Sequence, residues 1–442
     1  MMANTLLLGL DTERTVSPNP ATDKDHPTRK ALRASIKLLG HFGGGNFGND
    51  STFEAMLCHI RRVLPGVEVS CITTVPEKIR TDYDIPAIPI NAVIASRWIP
   101  NNYFLRLVRK ALIGVPSEFY RWINAAIVLR DTDMLVIVGT GLLNDAFGLT
   151  SWGPYNILRW SLAAKALRCK VLFVSVGAGP LYTHIGKWLV KSSLTLADYR
   201  SYRDHETKNY LGSMGVDVIA DAVYPDLAFS ICGAKRTQPT KRDRRVVGLG
   251  LMTYHERLSS DVPGNSTYEQ YLEQLTIFVQ WLLKEEYDVR LLTGDMADRT
   301  AVETFMSLLK NRLDPWMMPR VFDDPIDSFG SLLAQMDKTD IVVATRFHNV
   351  LWALALDKSV ISIAFHQKCT SLMASMGLQE YCHDIRGLDA DRLIEQFRDL
   401  TTHAETLKQA TRMRIVECRN ALDEQYTRIF QDLEARCGRP LQ

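Results

Sequence analysis

Cysteine is scarce in this 442-residue chain and follows no pattern. The eight cysteines, at 58, 71, 169, 232, 369, 382, 418 and 437, form no Cys-x-x-Cys pair and no zinc-ligand spacing, which argues against a cysteine metal site or a disulfide framework and for reduced thiols. Net charge is nearly absent too: 52 Lys and Arg stand against 50 Asp and Glu, so nothing global draws the chain to nucleic acid, and any basic site must be local. No apolar run is long enough for a membrane-spanning helix, the best, 350–365, being broken by Asp357 and Lys358. Residues 6–10 are too few for a signal-peptide core and lack a positive flank. Short repeats and low-complexity tracts are missing, which excludes solenoids. Also missing are a Ser-His-Asp motif, a His-Glu-x-x-His helix, an EF-hand loop and a Gly-Lys-Ser/Thr phosphate loop.

What the chain does have is alternation. Its length asks for about two domains. Strand-like segments at 35–40, 67–73, 133–138, 170–176, 198–202 and 216–220 alternate with helix-like ones at 51–63, 156–167, 185–195 and 205–211. After the basic, polar stretch 232–245, which reads as a linker, strands at 246–251, 288–292, 340–344 and 360–364 alternate with helices at 268–284, 299–311, 328–335 and 349–356. The expected fold is α/β: two Rossmann-like doubly wound domains, 34–231 and 246–400, facing across a cleft. Residues 1–33, rich in Pro, Thr, Asp and Lys, read as a mobile tail, and 401–442 as a C-terminal helical segment with Leu422, Tyr426, Ile429 and Leu433 on one face.

Chemistry gathers at the carboxyl ends of the strands, where open α/β sheets bind ligands. The loop 40–50 after the first strand holds five glycines, among them Gly44 and Gly45 beside Asn46, and suits close backbone approach to a ligand; Asp50 serves equally well as the cap of the next helix. Glycines recur after the third strand (Gly139-Thr140-Gly141) and the fourth (Gly177, Gly179), and Arg203 ends the fifth. Asp226 reads as a turn residue. In the second domain Asp295 can bind a hydroxyl or cap a helix. Arg346 and His348 fall in the connection between a buried strand and a helix mouth, where a guanidinium grips carboxylate or phosphate and a histidine can give a proton. Lys368 offers a further cation past the next strand.

Residues 97–130 break the alternation, interleaving Arg97, Arg106, Arg109, Lys110 and Arg121 with Trp98, Phe104, Phe119 and Trp122. They read either as a helical insertion with its aromatics in a core or as a stretch resting on an anionic membrane surface.

In order and spacing, the Gly-Asn-Phe-Gly loop at 45–48, Gly139-Thr140-Gly141, Gly177-Ala178-Gly179-Pro180, Arg203-Asp204, Pro225-Asp226-Leu227-Ala228-Phe229, Arg346-Phe347-His348 and Lys368 with Met376-Gly377-Leu378 resemble the polysaccharide pyruvyl transferase family. The resemblance spans 36–385 and implies a two-domain glycosyltransferase-B arrangement. It also implies transfer of pyruvate from phosphoenolpyruvate onto two hydroxyls of a sugar or glycan precursor in exopolysaccharide synthesis, as a ketal, with no cofactor and no metal required. Carried over, Arg203 and Arg346 would hold the donor, His348 would be the general acid, and Lys368 a further donor contact. The first domain would take the acceptor, which is either free or lipid-linked. The expected place is the cytoplasm, peripheral to the inner membrane face if 97–130 touches lipid. Two departures fall on the acceptor side: Thr140 interrupts the usual triple glycine, and Asn49 separates Gly48 from Asp50. The competing readings are a nucleotide-sugar glycosyltransferase of the same fold and a non-catalytic anion-binding protein.

Overall fold

Buried, β-branched runs become two parallel sheets in a computed structural model that describes residues 34–92, 102, 110–139, 141–146, 148–149, 153–231, 243–254 and 266–436. The first sheet contains β1 (Ser35–Leu39), β2 (Glu68–Thr73), β3 (Ala87–Pro89), β4 (Met134–Val138), β5 (Lys170–Val176), β6 (Tyr199–Tyr202) and β7 (Ala222–Val223), ordered β3-β2-β1-β4-β5-β6-β7. The second contains β8 (Val246–Leu251), β9 (Asp288–Thr293), β10 (Val321–Phe322), β11 (Ile341–Ala344), β12 (Ser359–Ala364) and β13 (Cys382–Asp384), ordered β10-β9-β8-β11-β12-β13. Every strand pair in both is parallel. Strand order reverses beside β1 and β4 in one sheet and beside β8 and β11 in the other, so each sheet has a switch point where loops diverge and leave a crevice.

The crossover helices are α1 (Phe47–Val63), α2 (Pro76–Tyr83), α3 (Val115–Leu129), α4 (Pro154–Ala166), α5 (His184–Thr195) and α6 (His205–Ser213) in the first domain. The second has α7 (Ser266–Lys284), α8 (Arg299–Arg312), α9 (Phe329–Asp337), α10 (Phe347–Ala355), α11 (Gln367–Ser375) and α12 (Ala390–Thr402), and α13 (Ala404–Arg436) ends the chain. Alternate residues of β4 separate onto two sides. Val136 and Val138 join a large core that runs through α1, the second domain and α13, whereas Leu135 and Ile137 join a second core under α4 and α5. The apolar face read for the last helix is buried, with Leu422, Tyr426, Ile429 and Leu433 inside.

Several expectations need correction. Residues 216–220 form no strand, because the chain turns there, the Asp221 N–H donating to the Val218 carbonyl at 3.1 Å and leaving Ile219 90% exposed; the edge pairing falls instead at Ala222–Val223. Helix α1 begins at Phe47, capped by Asn46 accepting from the Asn49 N–H at 3.3 Å, so Asp50 lies inside the helix rather than at its cap. Helix α10 begins at Phe347, so His348 is in its first turn and Arg346 is the cap residue, not part of a free connection. The 115–129 part of the irregular stretch is helical, but Phe119 faces outward, 69% exposed, instead of filling a core. Cys58 is disulfide-bonded, while Cys71, Cys169, Cys369, Cys382 and Cys418 are free, so the thiols are not all reduced. The tail 1–33, Thr140, 93–101, 103–109 and most of the linker lie outside the described residues.

Candidate functional site

Two seams of hydrogen bonds bring the strand ends of the domains together. At one, Gly45, with φ +89°, turns its carbonyl to the Met296 N–H at 2.9 Å, and the Phe47 N–H donates to the Gly294 carbonyl at 3.2 Å. A side chain at Gly45 would strain that backbone and meet Met296. Between these bonds the Asn46 amide donates to Asp295 at 2.8 Å. Asn46 and Asp295, read as cleft-lining residues, are thus each other's partners across the domains. Gly44 covers the ring of His41, which hydrogen-bonds Thr74 at 2.6 Å. At the other seam Ser371 donates to Glu206 at 2.5 Å.

Arg203 follows β6 with its side chain only 7% exposed. Gly177 makes room for it: a Cβ there would lie 2.6 Å from the Arg203 Nε, and one at Gly141 would lie 4.0 Å from its Nη2. Gly139 has a different task, passing close to the Ser175 carbonyl, and Gly179 packs on Tyr210. The guanidinium lies 3.5 Å from Asp204 and 3.4 Å from Asp226, with its carbon 5.7 Å from the centre of the Phe347 ring. Its buried Nε has no hydrogen-bond partner among the described residues.

His348 comes from the opposite domain. Its Nε2 lies 3.7 Å from the same Asp226 oxygen, an ion-pair separation rather than a hydrogen bond, and has no hydrogen-bond partner among the described residues. The ring stacks on Trp352 and rests against α1, where a Cβ at Gly48 would fall 2.1 Å from its Nδ1. Asp226 itself is buried and accepts from the Ala228 N–H at 3.0 Å. Burial would raise its pKa, but His348, Arg203 and that N–H together hold the carboxyl below its ordinary value, so a buried carboxylate sits between an arginine and a histidine from different domains.

Lys368 stands at the start of α11, its backbone N–H donating to the His366 ring at 3.2 Å. Burial, then the charge of Arg203, pushes its ammonium down to about 8, against the pull of Asp204 and Glu206. Arg346 is turned elsewhere. Its Nε and Nη2 donate to the two oxygens of fully buried Asp298 at 2.9 and 2.7 Å. Burial raises the Asp298 carboxyl, with Arg346 opposing that rise.

Arg203 and His348 therefore both lie against Asp226, and Lys368 is near enough to Arg203 to feel its charge, while Asp226 and Asp298 are additions to the expected site residues. Asp226 was visible as a turn residue and within the 225–229 segment but was given no role at the site, and Asp298 carried no signal beyond its place at the start of α8. Chemically, the cluster can hold an anion with several negative charges and carry a proton. Among the described residues no group of acids, histidines and cysteines could hold a metal ion, and no helix is long and apolar enough to cross a membrane.

Residues 46–367 match the family model described as "Polysaccharide pyruvyl transferase". No curated protein is matched by the chain. Among solved structures the fold is similar to a putative UDP-N-acetylglucosamine 2-epimerase from Listeria monocytogenes, at 13% identity and TM-score 0.59, over 91% of this chain and 97% of that one. It is also similar to a glycosyltransferase from Rickettsia africae, at 12% identity and TM-score 0.53, over 90% and 98% of the two chains. A third likeness is to UDP-GlcNAc 2-epimerase from Neisseria meningitidis, solved bound to UDP-GlcNAc, at 13% identity and TM-score 0.52, over 86% and 94%. These likenesses establish the two-domain glycosyltransferase-B fold.

Proposed function

We propose a reaction for this chain, which belongs to the polysaccharide pyruvyl transferase family: it moves the pyruvyl group of phosphoenolpyruvate onto two hydroxyls of a sugar in a polysaccharide or its precursor. The observation that carries the reading is the meeting of Arg203 and His348 across the domains, each with a buried nitrogen lacking a hydrogen-bond partner among the described residues, beside Lys368. A small trianion suits that set. Phosphoenolpyruvate carries a carboxylate and a phosphate on adjacent positions, and cations from both domains would neutralise it.

In the proposed step His348 gives a proton to the C3 methylene, and positive charge develops at C2. One sugar hydroxyl adds there and its proton passes to the phosphate; the C2–O bond breaks, hydrogen phosphate leaves with that electron pair, and the second hydroxyl closes the ketal and returns a proton to the ring. Asp226 is the positioning residue, an anion set to balance the charged imidazole and hold Arg203. Arg346, locked on Asp298, orients the turn that carries His348 and adds positive potential. The donor is a cytoplasmic metabolite, so the cytoplasm is the proposed location, and the acceptor is a free or lipid-linked glycan on the first domain.

The test is release of phosphate from phosphoenolpyruvate with candidate glycans. Acceptor-dependent release supports the reading, and His348→Ala should lower turnover by roughly 10²–10⁴-fold while donor binding persists. Near-wild-type turnover by that variant would sink the assignment of the acid. Nucleotide release from a sugar nucleotide, with phosphoenolpyruvate inert, would assign a glycosyltransferase instead.

A further inference from the structure

Helix α3 shows solvent an apolar stripe. Val115, Phe119 and Ile127 are 68%, 69% and 67% exposed, and Ile123 between them 44%, while Ser117, Ala125 and Leu129 face inward. Positions four apart share one side of a helix, so the stripe is continuous. Helices α3, α4 and α5 lie side by side, and α5 adds exposed Ile185 and Trp188. Apolar exposure on this scale marks a contact surface.

Charge identifies the partner. The sequence has no Asp or Glu between Asp145 and Asp198, and only Glu118 between Asp84 and Asp131. Three of the nearby carboxylates are engaged: Glu118 accepts from Arg121, Tyr155 and Arg159, Asp198 pairs with Lys165, and buried Asp145 accepts from the Tyr182 and Thr183 backbone, while Asp131 lies exposed beside Arg130 at the end of α3. Lys187 and Lys191 are exposed on α5 beside Trp188, and Arg130 is exposed at the end of α3. An apolar stripe bordered by Lys187 and Lys191, with Glu118 and Asp198 already paired, matches a bilayer whose headgroups are anionic. A second copy of the chain fits poorly, because a two-fold contact would set this cationic border against itself.

We propose that the outward face of α3 and α5 docks on an anionic lipid bilayer, with Phe119, Ile123, Ile127 and Trp188 entering the headgroup boundary and Lys187 and Lys191 meeting lipid phosphates. The core beneath this face contains no residue of the second domain, so docking does not compete with the contact between domains. Combined with the proposed reaction, it sets the acceptor domain against the membrane that carries lipid-linked glycans. Lipid binding and phosphate release are scored separately, so either reading can fail alone.

The experiment is co-sedimentation of the full-length protein with vesicles of phosphatidylcholine alone and of equal parts phosphatidylcholine and phosphatidylglycerol. Binding should require phosphatidylglycerol, weaken with salt, and fall by about tenfold or more in Phe119→Glu/Ile123→Glu and in Lys187→Glu/Lys191→Glu. Circular dichroism and melting of both variants should match wild type, since all four positions are exposed. Equal binding to neutral vesicles, or binding unchanged in both variants, overturns the proposal. So does a wild-type dimer in sedimentation velocity that Phe119→Glu/Ile123→Glu dissociates, which would give the face to a second copy.

Discussion

The Asp298 carboxylate is fully buried, and Arg346 meets it with two charge-assisted hydrogen bonds. Arg346→Ala strands that carboxylate, and breaking a buried pair from one side costs ~3–5 kcal/mol. Urea unfolding should show a loss of that order, with part of it regained in Arg346→Ala/Asp298→Asn; a loss below about 1 kcal/mol would mean the pair is as loose as a surface ion pair. Any fall in donor affinity in the single variant must be read against this loss. Lys368 gives a pH dependence. Its pKa is depressed to about 8 by burial and Arg203, so the cation is present below that pH and lost above it. Donor affinity should hold up to about pH 8 and then fall by about tenfold per unit, a slope that Lys368→Met removes; calorimetric titration across pH 7–9.5 checks it. At this scale the sequence showed which residues carry charge but not which charges are already engaged. Asp226 and Asp298 lie 23 and 48 positions from the arginines they meet, and no local pattern encodes such pairs.

Helix α13 shows the same limit one level up. Its apolar spacing was plain, but not that one helix would serve both domains. Arg412 pairs with Asp357 at 2.6 Å in the second domain, whereas Gln425 donates to Ser201 at 2.6 Å and accepts from Ser175 at 3.1 Å under the first sheet. Tyr426 stacks on His59 of α1, ring centres 3.9 Å apart. Tyr426→Ala should cost ~3–5 kcal/mol in denaturant unfolding, as for a large core aromatic. Burial, then the charge of Arg62, lowers the His59 pKa from 6.5 to about 4. The unfolded chain therefore binds the proton first, and stability should decline as pH falls from about 6.5 to 4. His59→Phe, which keeps a ring on Tyr426, should flatten that decline in melting curves; an unchanged slope would clear His59 of the effect. Other elements were misread where periodicity is weakest, in two- and three-residue edge strands and in the first turns of α1 and α10, whose true starts depend on caps and on contacts with the other domain.

At the scale of the whole molecule, the domains fit tightly at Gly48, where a methyl group would overlap the His348 ring. Gly48→Ala should leave each domain folded but turn the ring or part the domains, lowering turnover by about a hundredfold, the cost of a misplacement near 1 Å. Crystallography of the variant would show the displaced ring, and full activity would show that the contact yields freely. By itself the sequence determined the alternation of strands and helices, and with it the placing of glycines, Arg203, His348 and Lys368 at strand ends, because periodicity and loop position are local properties. Only the tertiary structure decided that Asn46 would spend its amide on Asp295, that Arg346 would be held by Asp298, and that Asp226 would stand between Arg203 and His348. Those outcomes depend on which strand ends the two switch points bring together, and a buried charge takes the partner that the fold sets within reach.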